Sequence, residues 1–148
     1  MTHITLPYPP SANRLWRVTS RGTYRTATAE AFKGIAGWRA KAAGMKLLEG
    51  EIRITVILHP KQPKRPSPRT IRCLDLDNAL KAALDALQGI AYENDSQIVE
   101  IRALKGEPIP GGGLSIEVQK VHYFANAQQG TQKALQGTID HQPVPAVG

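Results

Sequence analysis

The segment that decides the fold reads LDLDNALKAALDAL, residues 74–87. From Leu76 to Leu87 its apolar residues recur at helical spacing, which predicts an amphipathic helix that ends before Gly89. The apolar stripe consists of Leu76, Leu80, Ala83, Leu84 and Leu87. Because a helix with one apolar face must cover another element, this segment predicts a layered domain.

Strands are predicted on both sides of this helix. Residues 52–58 (IRITVIL) alternate and predict a strand with one strongly apolar face. Residues 98–105 and 114–121 predict two more strands, and the Gly- and Pro-rich segment 106–113 predicts that they form a hairpin with a long connection. In this interpretation Gly111, Gly112 and Gly113 only give the connection extra length.

The N-terminal third contains a short strand, an arm and a second helix. The strand begins at Ile4 and is stopped by three prolines within residues 7–10. A basic helix with Thr28 as its N-cap is predicted to reach Leu47, before a stop at Gly50. These elements predict a single domain of the α+β class, with several strands and two main helices.

Between the strand and the helix, four arginines alternate with aromatic residues in a hairpin-like arm that has Gly22 near its tip. These residues are Arg14, Arg17, Arg21 and Arg25, with Trp16 and Tyr24. The aromatic side chains can stack on nucleobases. Core packing is the favoured interpretation for both.

Length and composition bound the function classes. The chain has 148 residues, which suits one domain over 1–123 with a polar, Gln-rich tail over 124–148. No apolar run approaches the roughly 18 residues of a membrane span, and no secretory signal is apparent. The single Cys73 excludes an intramolecular disulfide framework, and we expect a cytoplasmic protein. No phosphate-binding loop is present, and we expect no organic cofactor.

Charge is distributed unevenly along the chain. Residues 1–72 hold 14 basic and 3 acidic side chains, whereas residues 73–148 hold 5 basic and 9 acidic ones. A Pro-rich basic loop is predicted over 59–73, where four prolines exclude a helix or a central strand. The basic half predicts an anionic partner, and chance plus solubility is the simpler alternative.

Acidic residues cluster where this basic loop meets the helix. Asp75 and Asp77 lie two residues apart, Lys81 follows one helical turn later, and Asp95 comes after the helix. Paired carboxylates repel unless a cation lies between them, and Mg²⁺ needs only one or two carboxylates besides water and phosphate oxygens. Together with the basic loop, the pattern favours phosphodiester chemistry.

Simpler interpretations exist for several of these residues. Asp77 suits a helix cap, Asp85 a solvated helix face, and Cys73 a small buried filler. The four histidines show no metal-ligand spacing.

Two stretches resemble the RusA-type Holliday junction resolvases of bacteria and their phages. One is ITLPYPPSANR, residues 4–14, and the other is the block DLDN, residues 75–78, with the residues that follow it through residue 97. The resemblance implies a Mg²⁺-dependent homodimer, with Mn²⁺ as a possible substitute, that nicks two opposing strands of four-way DNA. It implies catalytic roles for Asp75, Asp77, Lys81 and Asp95, of which the three aspartates hold the metal. The fold that the resemblance implies is a single-domain, two-layer mixed β-sheet with two main helices packed on it. A phage or prophage origin fits this family.

The DNA-binding surface is assigned to basic and amide residues near the two matching stretches. They are Asn13, Arg14, Arg17, Lys64, Arg65, Arg69, Arg72 and Asn78. The sequence departs from the family where Cys73 and Leu74 separate the arginines from the first aspartate. A non-catalytic branched-DNA-binding module and a nuclease for forks, flaps or RNA are the alternatives.

Overall fold

The computed structural model describes residues 1–66, 71 and 73–122. The strands are β1 (Thr2–Leu6), β2 (Trp16–Thr19), β3 (Gly22–Arg25), β4 (Ile52–His59), β5 (Ile98–Lys105) and β6 (Gly113–Lys120). The helices are α1 (Ala27–Ala42) and α2 (Leu76–Leu87), with short 3₁₀ turns at Ala12–Arg14 and Asp95–Gln97. The predicted α+β class, the mixed sheet and the two main helices are confirmed.

The main sheet has the strand order β1-β6-β4-β5. β6 runs antiparallel to both β1 and β4, whereas β5 runs parallel to β4. The predicted hairpin of β5 with β6 is therefore wrong, because the two strands lie on opposite sides of β4. Parallel strands need a crossover connection, and α2 lies in the one that joins β4 to β5.

Gly112 and Gly113, where β6 begins, allow the backbone to pass close to neighbouring segments. Gly112 has a φ of 69°, and a Cβ there would lie 2.6 Å from Cδ2 of Tyr8 and 3.1 Å from the His59 carbonyl oxygen. A Cβ at Gly113 would lie 2.8 Å from the Leu6 carbonyl oxygen. The interpretation that these two glycines only give the connection extra length is wrong, since the neighbouring chain leaves no room for a side chain.

This close passage predicts unequal effects of two alanine substitutions. Gly111 has a similar φ of 75°, but a Cβ there would meet nothing within 4 Å. We expect Gly111→Ala to cost about 1 kcal/mol, from backbone strain alone, and Gly112→Ala about 2–4 kcal/mol, from strain plus the clash. Urea unfolding of both variants measures the difference, and equal losses would contradict the close passage.

One face of the main sheet forms the core with the two helices. Alternate residues of β4, Ile52, Ile54, Val56 and Leu58, are at most 1% exposed. α2 covers them mainly through small side chains, with Ala79, Ala82, Ala83 and Ala86 buried together with Leu87. The predicted leucine stripe is thus only partly right, because Leu76, Leu80 and Leu84 are partly buried and pack at the edge of the core.

Helix α1 is shorter than predicted and begins earlier. Its N-cap is Thr26, whose hydroxyl accepts a hydrogen bond from the Ala29 N–H at 3.2 Å. The helix ends at Ala42, before Gly44 with its φ of 72°. The predicted cap at Thr28 and end at Leu47 are wrong, because the Thr26 cap and the left-handed Gly44 set the limits.

Two further expectations concern the C-terminal tail and membrane spans. The predicted tail over 124–148 lies outside the described residues. Within the described residues, no helix has the length and apolar character needed to cross a membrane.

Candidate active site

The first residues of α2 present two exposed carboxylates. Asp75 is the N-cap residue, yet its side chain makes no capping hydrogen bond, and Asp77 lies in the first turn. The capping interpretation of Asp77 is therefore wrong. Among residues 1–66, 71 and 73–122, neither carboxylate has a hydrogen-bond or ion-pair partner.

The segment that leads into Asp75 is hydrogen-bonded to the loop that follows β1. The Leu74 N–H donates a hydrogen bond of 2.8 Å to the Tyr8 hydroxyl, and Cys73 and Leu74 pack against the core. Cys73 was predicted to be a small buried filler, and the structure shows it packed against the core but only partly buried. The positioning role of Tyr8 was missed, because a contact over 66 residues leaves no local pattern.

A cavity of about 310 Å³ brings two of the predicted catalytic residues together. Lys81 enters it from α2, Asp95 from the 3₁₀ turn after α2, and Trp16 from β2. Asp85, one turn beyond Lys81, lines the same cavity. Asp75 and Asp77 do not line it and lie at the preceding end of α2.

The carboxylates suit Mg²⁺ chemically, although they do not form a closed cage. Within the described residues, no group of three or more His, Cys, Asp and Glu side chains is arranged to hold a metal ion. Mg²⁺ keeps several waters and binds through one or two carboxylates plus substrate phosphates, so the exposed pair Asp75 and Asp77 fits its donor chemistry. Participation of Asp95 as a third ligand stays a prediction.

Asp95 is held by its own turn and borders a buried tyrosine. Asn94 and Gln97 form a capping box around this turn. The Tyr92 hydroxyl is buried and donates to the Leu84 carbonyl oxygen at 2.7 Å. Burial, followed by the negative charge of Asp95, raises the pKa of Tyr92. Tyr92 therefore stays neutral beside Asp95 and links the turn to α2.

Asp85 is not on the solvated face that was predicted. Its side chain is only 16% exposed and pairs with the guanidinium of Arg25 at 3.4 Å. The Lys33 ammonium donates to the main-chain carbonyl oxygens of Asp85 and Ala86 at the end of α2, and burial is the main cause of its lowered pKa. These contacts tie α1 and the β2–β3 hairpin to α2, which sequence spacing alone did not reveal.

The predicted DNA-binding residues divide by position. Asn13, Arg14 and Arg17 are exposed and line one groove with Trp16, while Lys64 and Arg65 are exposed elsewhere. Asn78 is partly buried in the first turn of α2. Arg69 and Arg72 lie outside the described residues.

The prediction that Trp16 and Tyr24 pack in the core is wrong. Trp16 is 47% exposed and Tyr24 is 51% exposed. The hairpin of β2 and β3 forms a separate two-stranded sheet, so neither ring reaches the core beneath the main sheet.

Comparison with known proteins decides the family. A model of the family described as endodeoxyribonuclease RusA matches residues 7–119. The chain belongs to the RusA endodeoxyribonuclease family. It is 30% identical to the crossover junction endodeoxyribonuclease of Enterobacteria phage HK97 over 118 residues, which cover 78% of this chain and 92% of the relative. It is 31% identical to the Escherichia coli RusA crossover junction endodeoxyribonuclease over 120 residues, 80% of this chain and 93% of the relative.

The RusA match spans all the elements described above except β1 and the last residue of β6. It includes Asp75, Asp77, Lys81 and Asp95, and it ends before the predicted tail. The resemblance found from the sequence is thereby confirmed at the level of the family. Roles for individual residues rest on the geometry of this site.

Proposed function

We propose that this protein is a structure-selective endodeoxyribonuclease that resolves Holliday junctions in recombination and repair in the bacterial cytoplasm. The observation that carries the proposal is the shared cavity of Lys81 and Asp95. Asp77 lies one helical turn before Lys81, and the exposed Asp75 lies two residues before Asp77. Family membership supports the same activity.

In this proposal Asp75, Asp77 and Asp95 hold Mg²⁺ or, as a substitute, Mn²⁺. When bound by these aspartates, the ion would activate the attacking water and stabilise the leaving oxygen. The carboxylates neutralise the ion, and in its absence they weakly repel the phosphate that is to be cleaved.

Lys81 has a separate task. It shares a helix face with Asp77, four residues before it, and its exposed ammonium enters the cavity with Asp95. A cation at this place balances the charge that develops on the scissile phosphate. Asn13, Arg14, Arg17, Lys64, Arg65, Arg69, Arg72 and Asn78 bind the DNA around it, in a salt-dependent manner.

The proposed enzyme acts as a homodimer. A four-way junction has approximate two-fold symmetry, so two copies related by a two-fold axis present two equivalent sites to opposing strands. Paired nicks across that axis leave ends that are suitable for ligation.

Cleavage of a synthetic four-way junction tests the proposal. The substrate carries a different label on each strand and is compared with a linear duplex and a fork of matched sequence, with Mg²⁺ and with EDTA. We expect symmetric nicks in opposing strands of the junction, with Mg²⁺ only. Faster cutting of forks than of junctions would favour a fork nuclease, and tight binding without nicks would leave only a DNA-binding module.

A further inference from the structure

The β2–β3 hairpin exposes aromatic and basic side chains beside the candidate active site. The strands of this hairpin are exposed throughout, apart from the partly buried Arg25. Residues 13–25 contain four arginines and no acidic residue. The positive charge of this exposed arm suits a polyanion. Its aromatic rings suit a partner that also carries aromatic groups, so a nucleic acid meets both requirements.

Trp16 connects the hairpin to the catalytic cavity. Trp16 lines the cavity of Lys81 and Asp95, and it also lines the groove of Asn13 and Arg17. A DNA strand bound with a phosphate at Lys81 and running along these arginines would therefore pass over Trp16.

The indole is held in place before any ligand binds. The Arg25 guanidinium lies 5.3 Å from the centroid of the Trp16 ring, and the same guanidinium pairs with Asp85 of α2. Because Arg25 covers the ring on one side and 47% of Trp16 stays exposed, the ring is fixed to the helix that carries Lys81 and still offers a surface to a ligand.

We infer that Trp16 is a base-stacking platform that takes an unstacked nucleobase of branched DNA next to the cleaved phosphate. Bases at a branch point lose a stacking neighbour, whereas bases within a continuous duplex keep both. An aromatic surface beside the active site thus binds branched DNA in preference to linear duplex, because duplex must first be unstacked. This inference rests on the proposed function and names the part of the substrate that its site selects.

Tryptophan fluorescence tests the stacking directly. The chain has two tryptophans, and Trp38 on α1 is 79% exposed and lies apart from this cavity, so Trp38→Phe leaves Trp16 as the only tryptophan. We expect quenching of Trp16 by a four-way junction in EDTA, and weaker quenching by linear duplex at equal saturation. Unchanged Trp16 emission with bound junction would overturn the inference.

Three substitutions separate stacking from apolar packing. Trp16→Phe keeps an aromatic face, Trp16→Leu keeps only apolar volume, and Trp38→Leu removes a more exposed indole elsewhere. We expect Trp16→Leu to weaken junction binding about 10-fold, Trp16→Phe about 2- to 3-fold, and Trp38→Leu not at all. Equal effects of Leu and Phe at position 16 would also overturn the inference.

Failure of the two proposals is distinguishable. A wild-type protein that cuts junctions, with a Trp16→Leu variant that binds and cuts equally well, refutes stacking alone. Quenching of Trp16 by junctions without any metal-dependent nick refutes the nuclease and leaves the platform standing. Absence of any binding to branched DNA by the wild type refutes both.

Discussion

Replacement of Asp77 by Asn yields a protein that binds four-way junctions and no longer nicks them. Asp77 is exposed in the first turn of α2, and Asn has nearly the same shape, so the fold tolerates the change. The amide cannot supply the negative charge that holds a divalent cation. We expect single-turnover cleavage to fall at least about 1,000-fold, because metal and preorganised charge each contribute several kcal/mol.

Junction affinity is the second measurement on this variant. Because Asp77 repels phosphates when no metal is bound, its neutralisation leaves affinity in EDTA unchanged or slightly higher. Glu49→Gln serves as the matched control, since it removes the same charge from an exposed loop before β4. Cleavage by Asp77→Asn at the rate of this control would refute the metal site.

Replacement of Lys81 by Ala is expected to reduce cleavage about 100- to 1,000-fold with little change in junction binding. The ammonium acts on charge that appears only as the phosphodiester breaks, so its loss lowers the rate of the bound complex. A single phosphate contact contributes only a small part of the affinity of a surface with many cations.

Binding and single-turnover cleavage, measured over a range of salt concentrations, separate these effects. Lys41→Ala is the control, because Lys41 is also an exposed helical lysine and lies on α1 rather than α2. Equal losses in affinity and in rate for Lys81→Ala would make Lys81 a simple phosphate contact. Lys81→Arg, which keeps the charge on a larger head group, is expected to recover part of the rate.

Local patterns in the sequence predicted the individual elements well. The bounds of α2 and β5 agree with the prediction, and β4 differs by one residue, because periodicity and terminal glycines act over short distances. Pairing between strands was not predictable in this way. The alternation in β5 and β6 fits a hairpin as well as it fits two strands on either side of β4, and only the α2 crossover decides between them.

For the candidate site, too, local patterns in the sequence identified candidate residues, and contacts between distant residues were not predicted. The block from Asp75 to Lys81, and the later Asp95, stood out because charged residues follow each other at helical spacing beside a basic loop. Trp16 was predicted to pack in the core, but it lines the cavity of Lys81. Asp85 was predicted to lie on a solvated helix face, but it pairs with Arg25. Those contacts join residues about 60 positions apart, where composition gives no information on distance.

The sequence by itself determined the chemistry: carboxylates and a lysine on one helix, a basic first half and a family that acts on DNA. Tertiary structure alone decided which of these groups share a cavity, which strand neighbours β4, and why Gly112 has no side chain. The physical reason is that spacing and charge are properties of neighbouring residues, whereas burial and contact arise only when α2 and the β2–β3 hairpin pack together.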